Sequence, residues 1–230
     1  MATHVPADYM ASRTALHTVA EHVLAAALHR ATGHIGLRVT PGGFGTPPYM
    51  ADGVEHQVRI TGTDLVVRTG VDERRTPLVS VGQAAAFVGI EPGGPASVYA
   101  LATRLEPDVP LALEPAAVAV VHGWFQTAGT ALEALRAEHP GLEPTIAQLW
   151  PEHFDLAVTM AEVNYGGSPG DADHGGPYAY VGPWQPERYR GEFWNEPFGA
   201  SRSHVEVPTP EELHAFFETG CRLSSATRRP

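Results

Sequence analysis

Two long segments carry apolar residues at helical spacing, and each is followed by stretches that alternate with a period of two. Neither apolar stripe can be buried by its own helix, so this order calls for helices laid on an antiparallel sheet, an α+β chain. From about Ser12 to Thr32 the residues Leu16, Val19, Ala20, Val23, Leu24, Ala27 and Leu28 mark one face, and Gly33 supplies a stop. His22 and His29 fall off that stripe and read as solvated surface histidines. From Pro115, suited to a first helical position, Val118, Val121, Phe125, Ala128, Leu132 and Leu135 recur as far as His139-Pro140-Gly141.

After the first helix, Ile35, Leu37 and Val39 alternate with polar neighbours, and a Gly/Pro loop from Pro41 to Pro48 follows. Val54–Ile60 and Leu65–Thr69 flank Thr61-Gly62-Thr63-Asp64 as a hairpin, and Ser80 with Gln83 forms a capping box for a short helix. After the second helix, Phe154, Leu156, Val158 and Met160 alternate as a strand, a second Gly/Pro loop spans Asn164 to Pro177, and Tyr178 resumes the extended chain. Thr209-Pro210-Glu211-Glu212 opens a short helix that is expected to reach Gly220, with the chain from Ser224 onward poorly held.

The shared order of helix, strand, loop, strands and capped helix suggests an internal duplication. The expected organisation is a first half at 1–90, a Pro/Gly-rich linker at 91–113 and a second half at 114–230 within one compact domain, with antiparallel sheet and the two long helices packed on one face.

Composition narrows the chemistry. All fifteen basic residues are arginines, so mechanisms that need a lysine Schiff base, a phosphate-loop lysine or a Ser-x-x-Lys pair are excluded. Cys221 is the single cysteine, which rules out an intrachain disulfide and an all-cysteine metal site. The formal charge of −11, with the arginines scattered, argues against nucleic acid. Apolar runs are too short to span a bilayer and the amino terminus lacks a signal-peptide pattern, so no membrane partner and a cytoplasmic location are expected.

Three motifs invite a chemical reading. Gly166-Gly167-Ser168-Pro169-Gly170 matches G-x-S-x-G, but the oxyanion hole of that motif needs the backbone N–H after the serine, and Pro169 has none. Gly42-Gly43-Phe44-Gly45 lacks the helix and the Lys-Ser/Thr ending of a phosphate loop, and reads as a strand connection. The most suggestive cluster is His153, Asp155, Asp171, Asp173 and His174, two histidines and three carboxylates suited to a divalent metal as cofactor if the loop folds back over the strand. Asp171 and Asp173 also begin an EF-hand register, which fails at Gly175 and Gly182. The tyrosine- and tryptophan-rich stretch that follows offers Tyr178, Tyr180, Trp184 and Trp194, with Arg188, Arg190 and Glu196 as polar anchors, for a small-molecule ligand.

The strings Thr32-Gly33-His34-Ile35-Gly36-Leu37-Arg38-Val39-Thr40-Pro41-Gly42-Gly43-Phe44-Gly45-Thr46-Pro47 and Leu149-Trp150-Pro151-Glu152-His153-Phe154-Asp155-Leu156-Ala157-Val158, with 164–171 and 177–184, resemble a family of uncharacterised proteins from high-GC bacteria. A weaker resemblance joins the Phe-Asp-Leu-Ala-Val segment to a domain-of-unknown-function family. The resemblance covers nearly the whole chain and implies no activity, so it transfers no catalytic residue. Two functions remain in view: small-molecule binding through the Gly/Pro loops and aromatic segment, and a metal-assisted hydrolase or lyase using the His/Asp cluster.

Overall fold

The computed structural model describes residues 4–228, and the chain divides into two compact units, one of residues 5–123 and 149–154, the other of residues 124–148 and 155 onward. The class is α+β, as the alternating periods require.

In the first unit a helical rod is built from α1 (Tyr9–Val19), a π-helical turn (Ala20–Ala25) and α2 (Ala26–Thr32), and it ends at Gly33 with φ +78°. Leu16, Val19, Val23, Leu24 and Leu28 are buried, so the predicted stripe is the core face. Strands β1 (Arg38–Thr40), β2 (Gly43–Gly45), β3 (Tyr49–Ala51), β4 (Val54–Thr61), β5 (Asp64–Thr69) and β6 (Asp72–Pro77) form an antiparallel sheet in the order β1-β2-β4-β5-β6, with β3 also on β4. Helix α3 (Val81–Val88) starts where Ser80 Oγ accepts from the Gln83 amide at 3.2 Å, as the capping box predicts.

Two expectations are corrected here. The glycine-rich stretch after Pro41 is not all loop, because β2 lies within it with Phe44 fully buried. A Cβ at Gly45 would come within 2.5 Å of the Arg59 Cα, so glycine permits the close approach of β4. His22 is fully buried rather than solvated. The π turn places Glu21 and His22 side by side towards the irregular segment that follows α3, where the carboxyl oxygens of Glu21 accept from the amides of Ala102 (3.0 Å) and Thr103 (2.7 Å) and from the Thr103 hydroxyl (2.5 Å). His22 Nδ1 accepts from the Gly94 amide at 3.0 Å, which requires Nε2 to donate to the Thr103 carbonyl at 3.2 Å.

Helix α4 (Pro115–Glu138) contributes residues to both units and closes near the predicted His139. The five-stranded antiparallel sheet runs β11-β10-β9-β8-β7, with β7 (Gln148–Trp150), β8 (Asp155–Met160), β9 (Val163–Ser168), β10 (Tyr178–Pro183) and β11 (Ala200–Ser203). Strand β9 occupies the start of the second stretch read as a Gly/Pro loop. Helix α5 (Pro210–Arg228) begins at the predicted box, with Thr209 Oγ1 accepting from the Glu212 amide and Glu212 Oε2 from the Thr209 amide, each at 3.2 Å.

One face of the second unit's sheet is packed by two long helices. Gly167 on β9 lies under Trp124 and Ala128 of α4, while Val181 on β10 lies under Gly220 of α5 and the Tyr165 ring meets Phe217 edge-on at 6.2 Å. Antiparallel pairing sets Ala179 opposite Gly167 and Val181 opposite Tyr165, which puts all these residues on one face. The helix of this pair that the sequence makes short is in fact long. Gly220 is no stop signal; a Cβ there would stand 2.8 Å from both Val181 methyl carbons, so glycine lets α5 approach β10. The tail expectation is corrected for Ser224, which is buried and donates to the Gly220 carbonyl at 2.7 Å. Residues 229–230, the end of that tail, lie outside the described residues. No helix among the described residues is long and apolar enough to cross a membrane.

Candidate functional site

The other face of the same sheet carries part of the sequence's candidate set. Cross-strand register aligns Ala157, Gly166, Tyr180 and Ser201 in one row and Ser168, Tyr178 and Ser203 in the next. Gly166 is again an enabling residue, since a Cβ there would stand 2.5 Å from the Tyr180 hydroxyl oxygen. The Tyr180 ring therefore lies across β9, and its hydroxyl donates to Asp155 Oδ2 at the start of β8.

The turn between β9 and β10 organises the second half of the site. Asp171 Oδ1 accepts from the amides of Asp173 (2.9 Å) and His174 (2.8 Å) and lies 3.2 Å from His174 Nδ1, while Oδ2 accepts from the Tyr178 hydroxyl at 2.6 Å. The His174 ring stacks on Tyr178 with centroids 4.0 Å apart, and its Nε2 is 3.6 Å from Glu196 Oε1, which accepts from Ser201 Oγ at 2.8 Å. Tyr178 and Tyr180 have centroids 6.3 Å apart, so the two tyrosine–carboxylate pairs are adjacent.

The electrostatics shift Tyr178, Tyr180 and Asp171 in opposite directions. Burial, reinforced by the hydrogen bond to Asp171, pushes the Tyr178 hydroxyl far above its ordinary range, and burial with the neighbouring Asp155 carboxylate does the same to Tyr180. Both phenols remain neutral donors. For Asp171, burial alone raises the pKa, but the donors from Tyr178, His174 and Asp173 together outweigh it and hold the carboxyl below its usual range. The face thus holds three carboxylates, Asp155, Asp171 and Glu196, with His174 between the last two.

The sequence candidates separate into groups. Asp155, Asp171 and His174 meet around Tyr178 and Tyr180. Asp173 is exposed and contributes its amide. His153 is exposed in a turn of the first unit, and the alternation that would set it beside Asp155 on a strand breaks at Phe154, whose φ of +54° starts β8 only at Asp155. Trp184 donates to Asn164 Oδ1 at 3.3 Å. Arg188 donates to Gln185 Oε1 and Arg190 to the Tyr189 carbonyl, so these contacts direct neither toward Asp171. Trp194 packs at a tilt against Tyr189 (4.8 Å) and edge-on against Phe193 (4.9 Å), and Phe193 packs on Phe216 of α5. Ser201 and the enabling role of Gly166 were missed in the sequence, since each depends on register between strands.

A hollow of about 180 Å³ in the first unit is lined by Ala15, Thr18, Val81, Arg104 and Leu111 among others, and by none of the candidate ligand residues. Comparison with known proteins assigns no relative: no family model, no curated protein and no solved structure matches the chain.

Proposed function

We propose that this protein binds a small organic cation on the acidic, tyrosine-bearing face of its five-stranded sheet. The observation that carries the reading is the pair of adjacent tyrosine–carboxylate couples, Tyr180–Asp155 and Tyr178–Asp171. Phenol hydroxyls satisfy carboxylate oxygens without neutralising them, and aromatic rings attract cations through their faces, so the surface favours a positively charged ligand over a neutral or anionic one. Metal-assisted hydrolysis gains less support, since both oxygens of Asp171 already serve Tyr178 and the loop amides.

The test compares two probes of the same shape, choline and its uncharged isostere 3,3-dimethylbutan-1-ol, by NMR titration of the tyrosine ring signals. Choline is expected to shift the Tyr178 and Tyr180 signals in a saturable way and the alcohol to leave them unmoved. Equal shifts from both probes, or none from choline, spermidine or benzylamine at millimolar concentration, would overturn the proposal.

A further inference from the structure

At the far end of the second unit, α4 finishes beside α5, and their titratable side chains converge. Glu138 is the last residue of α4, and His214 and Glu218 sit one helical turn apart on the same side of α5. One ligand atom from each of these three residues lies within 4.8 Å of the others. His214 Nε2 is 3.2 Å from Glu138 Oε2, yet this nitrogen is shielded from solvent and has no hydrogen-bond partner. His139, the residue after the helix, places Nε2 2.5 Å from Glu218 Oε1 and so fixes that carboxylate.

We propose that Glu138, His214 and Glu218 form a site for a divalent transition-metal ion of the zinc class, which ties the end of α4 to α5. An imidazole nitrogen with two carboxylates is a borderline donor set, suited to zinc rather than to calcium or magnesium, which prefer oxygen throughout. Donors around tetrahedral zinc stand about 3.3 Å apart at bond lengths of ~2.0 Å, so the three must draw together slightly. Glu138 and Glu218 are long side chains that are 55% and 32% exposed, and small rotations achieve this. His139 acts as the outer partner that orients Glu218, and water completes the coordination. The ion would also satisfy the shielded His214 nitrogen, which makes no hydrogen bond, because a lone pair directed at a metal is satisfied as by a hydrogen bond.

The experiment uses the full chain without a histidine tag, stripped with chelator and titrated with Zn²⁺ by calorimetry, with Co²⁺ added in parallel for its visible absorption. One ion per chain is expected, with a rise in melting temperature that chelator reverses. His214→Gln and Glu218→Gln should weaken binding by at least about tenfold, whereas His34→Gln, at an exposed histidine of the first unit, should not change it. Circular dichroism checks that each variant folds; Glu138→Gln, at an exposed helix end, replaces any that does not. Absence of zinc binding, or equal binding by wild type and both ligand variants, would overturn the site and leave two His–Glu ion pairs in its place. Equal weakening by His34→Gln would show adventitious binding to histidines and overturn it as well.

Discussion

Replacing Glu21 by alanine should loosen the irregular segment that follows α3, and the size of the effect follows from what is left behind. The Glu21 side chain is fully buried and accepts from two backbone amides, those of Ala102 and Thr103, and from the Thr103 hydroxyl. The hydroxyl can rotate to another acceptor, but the two amides cannot. A buried amide without a partner costs about 1–3 kcal/mol, so the pair costs about 2–6 kcal/mol, less whatever a water entering the vacated volume restores. A net loss of about 3 kcal/mol is expected, a large share of a domain stability of roughly 5–15 kcal/mol. His22 keeps its bonds to Gly94 and Thr103, so the segment should open locally before the unit unfolds. Urea denaturation measures the global term, and hydrogen exchange of a peptide covering 96–106 measures the local one, where protection should fall by about a hundredfold at 1.4 kcal/mol per decade. Glu21→Gln retains one acceptor oxygen and should fall between the two. A loss under about 0.5 kcal/mol with exchange at Ala102 and Thr103 unchanged would refute the anchoring role, because surface substitutions alone reach that size.

Two further outcomes follow. Burial, aided by the Arg13 charge, lowers the His17 pKa to about 3, and burial lowers that of His122 to about 4, so the unfolded chain binds protons that the native state refuses. Their stabilising effect is complete above the unfolded value near 6.5 and declines as pH falls toward those folded values, costing about 2 kcal/mol per histidine between pH 7 and 5. Urea midpoints at the two pH values check this, and a stability equal at both would contradict it. Gly166→Ala would push the Tyr180 ring off β9 and break its bond to Asp155, a combined loss of about 2–4 kcal/mol from overpacking and an unmet polar group. An unchanged melting temperature would show that the ring does not need that space.

The elements that could be read from sequence are those whose side chains announce a buried face. Val58 and Ile60 pair with Val67 and Leu65 across the predicted hairpin, and the α4 stripe is buried along Val121, Phe125, Ala128, Leu132 and Leu135. Strands β2 and β9 escaped because alternation is carried by side chains and glycine has none; Gly43, Gly45, Gly166 and Gly167 are present because something passes within reach of where a Cβ would be. Strand β6 escaped for the opposite reason, since Asp72–Pro77 is almost wholly exposed and held by its register with β5. A polar edge strand deters pairing with other chains, and its sequence resembles a loop.

Of the residues that the sequence singles out, Asp155, Asp171, His174, Tyr178 and Tyr180 lie together, while His153, Trp184, Arg188 and Trp194 lie apart from them. Carboxylates grouped near Asp155 and a glycine-rich turn do come together, because a short antiparallel connection from β9 to β10 returns the chain over the same face. Their partners could not be read, since whether a carboxylate meets an arginine, an ion or a phenol depends on register and on a glycine in the strand between them. That difference decides the function proposed. An arginine would have cancelled each carboxylate and left a neutral surface suited to an uncharged ligand. Tyr178 and Tyr180, held neutral by burial, hydrogen-bond the carboxyl groups and bring no positive charge to them. In the reading proposed, a cation lying against those rings adds positive charge that the phenols do not bring.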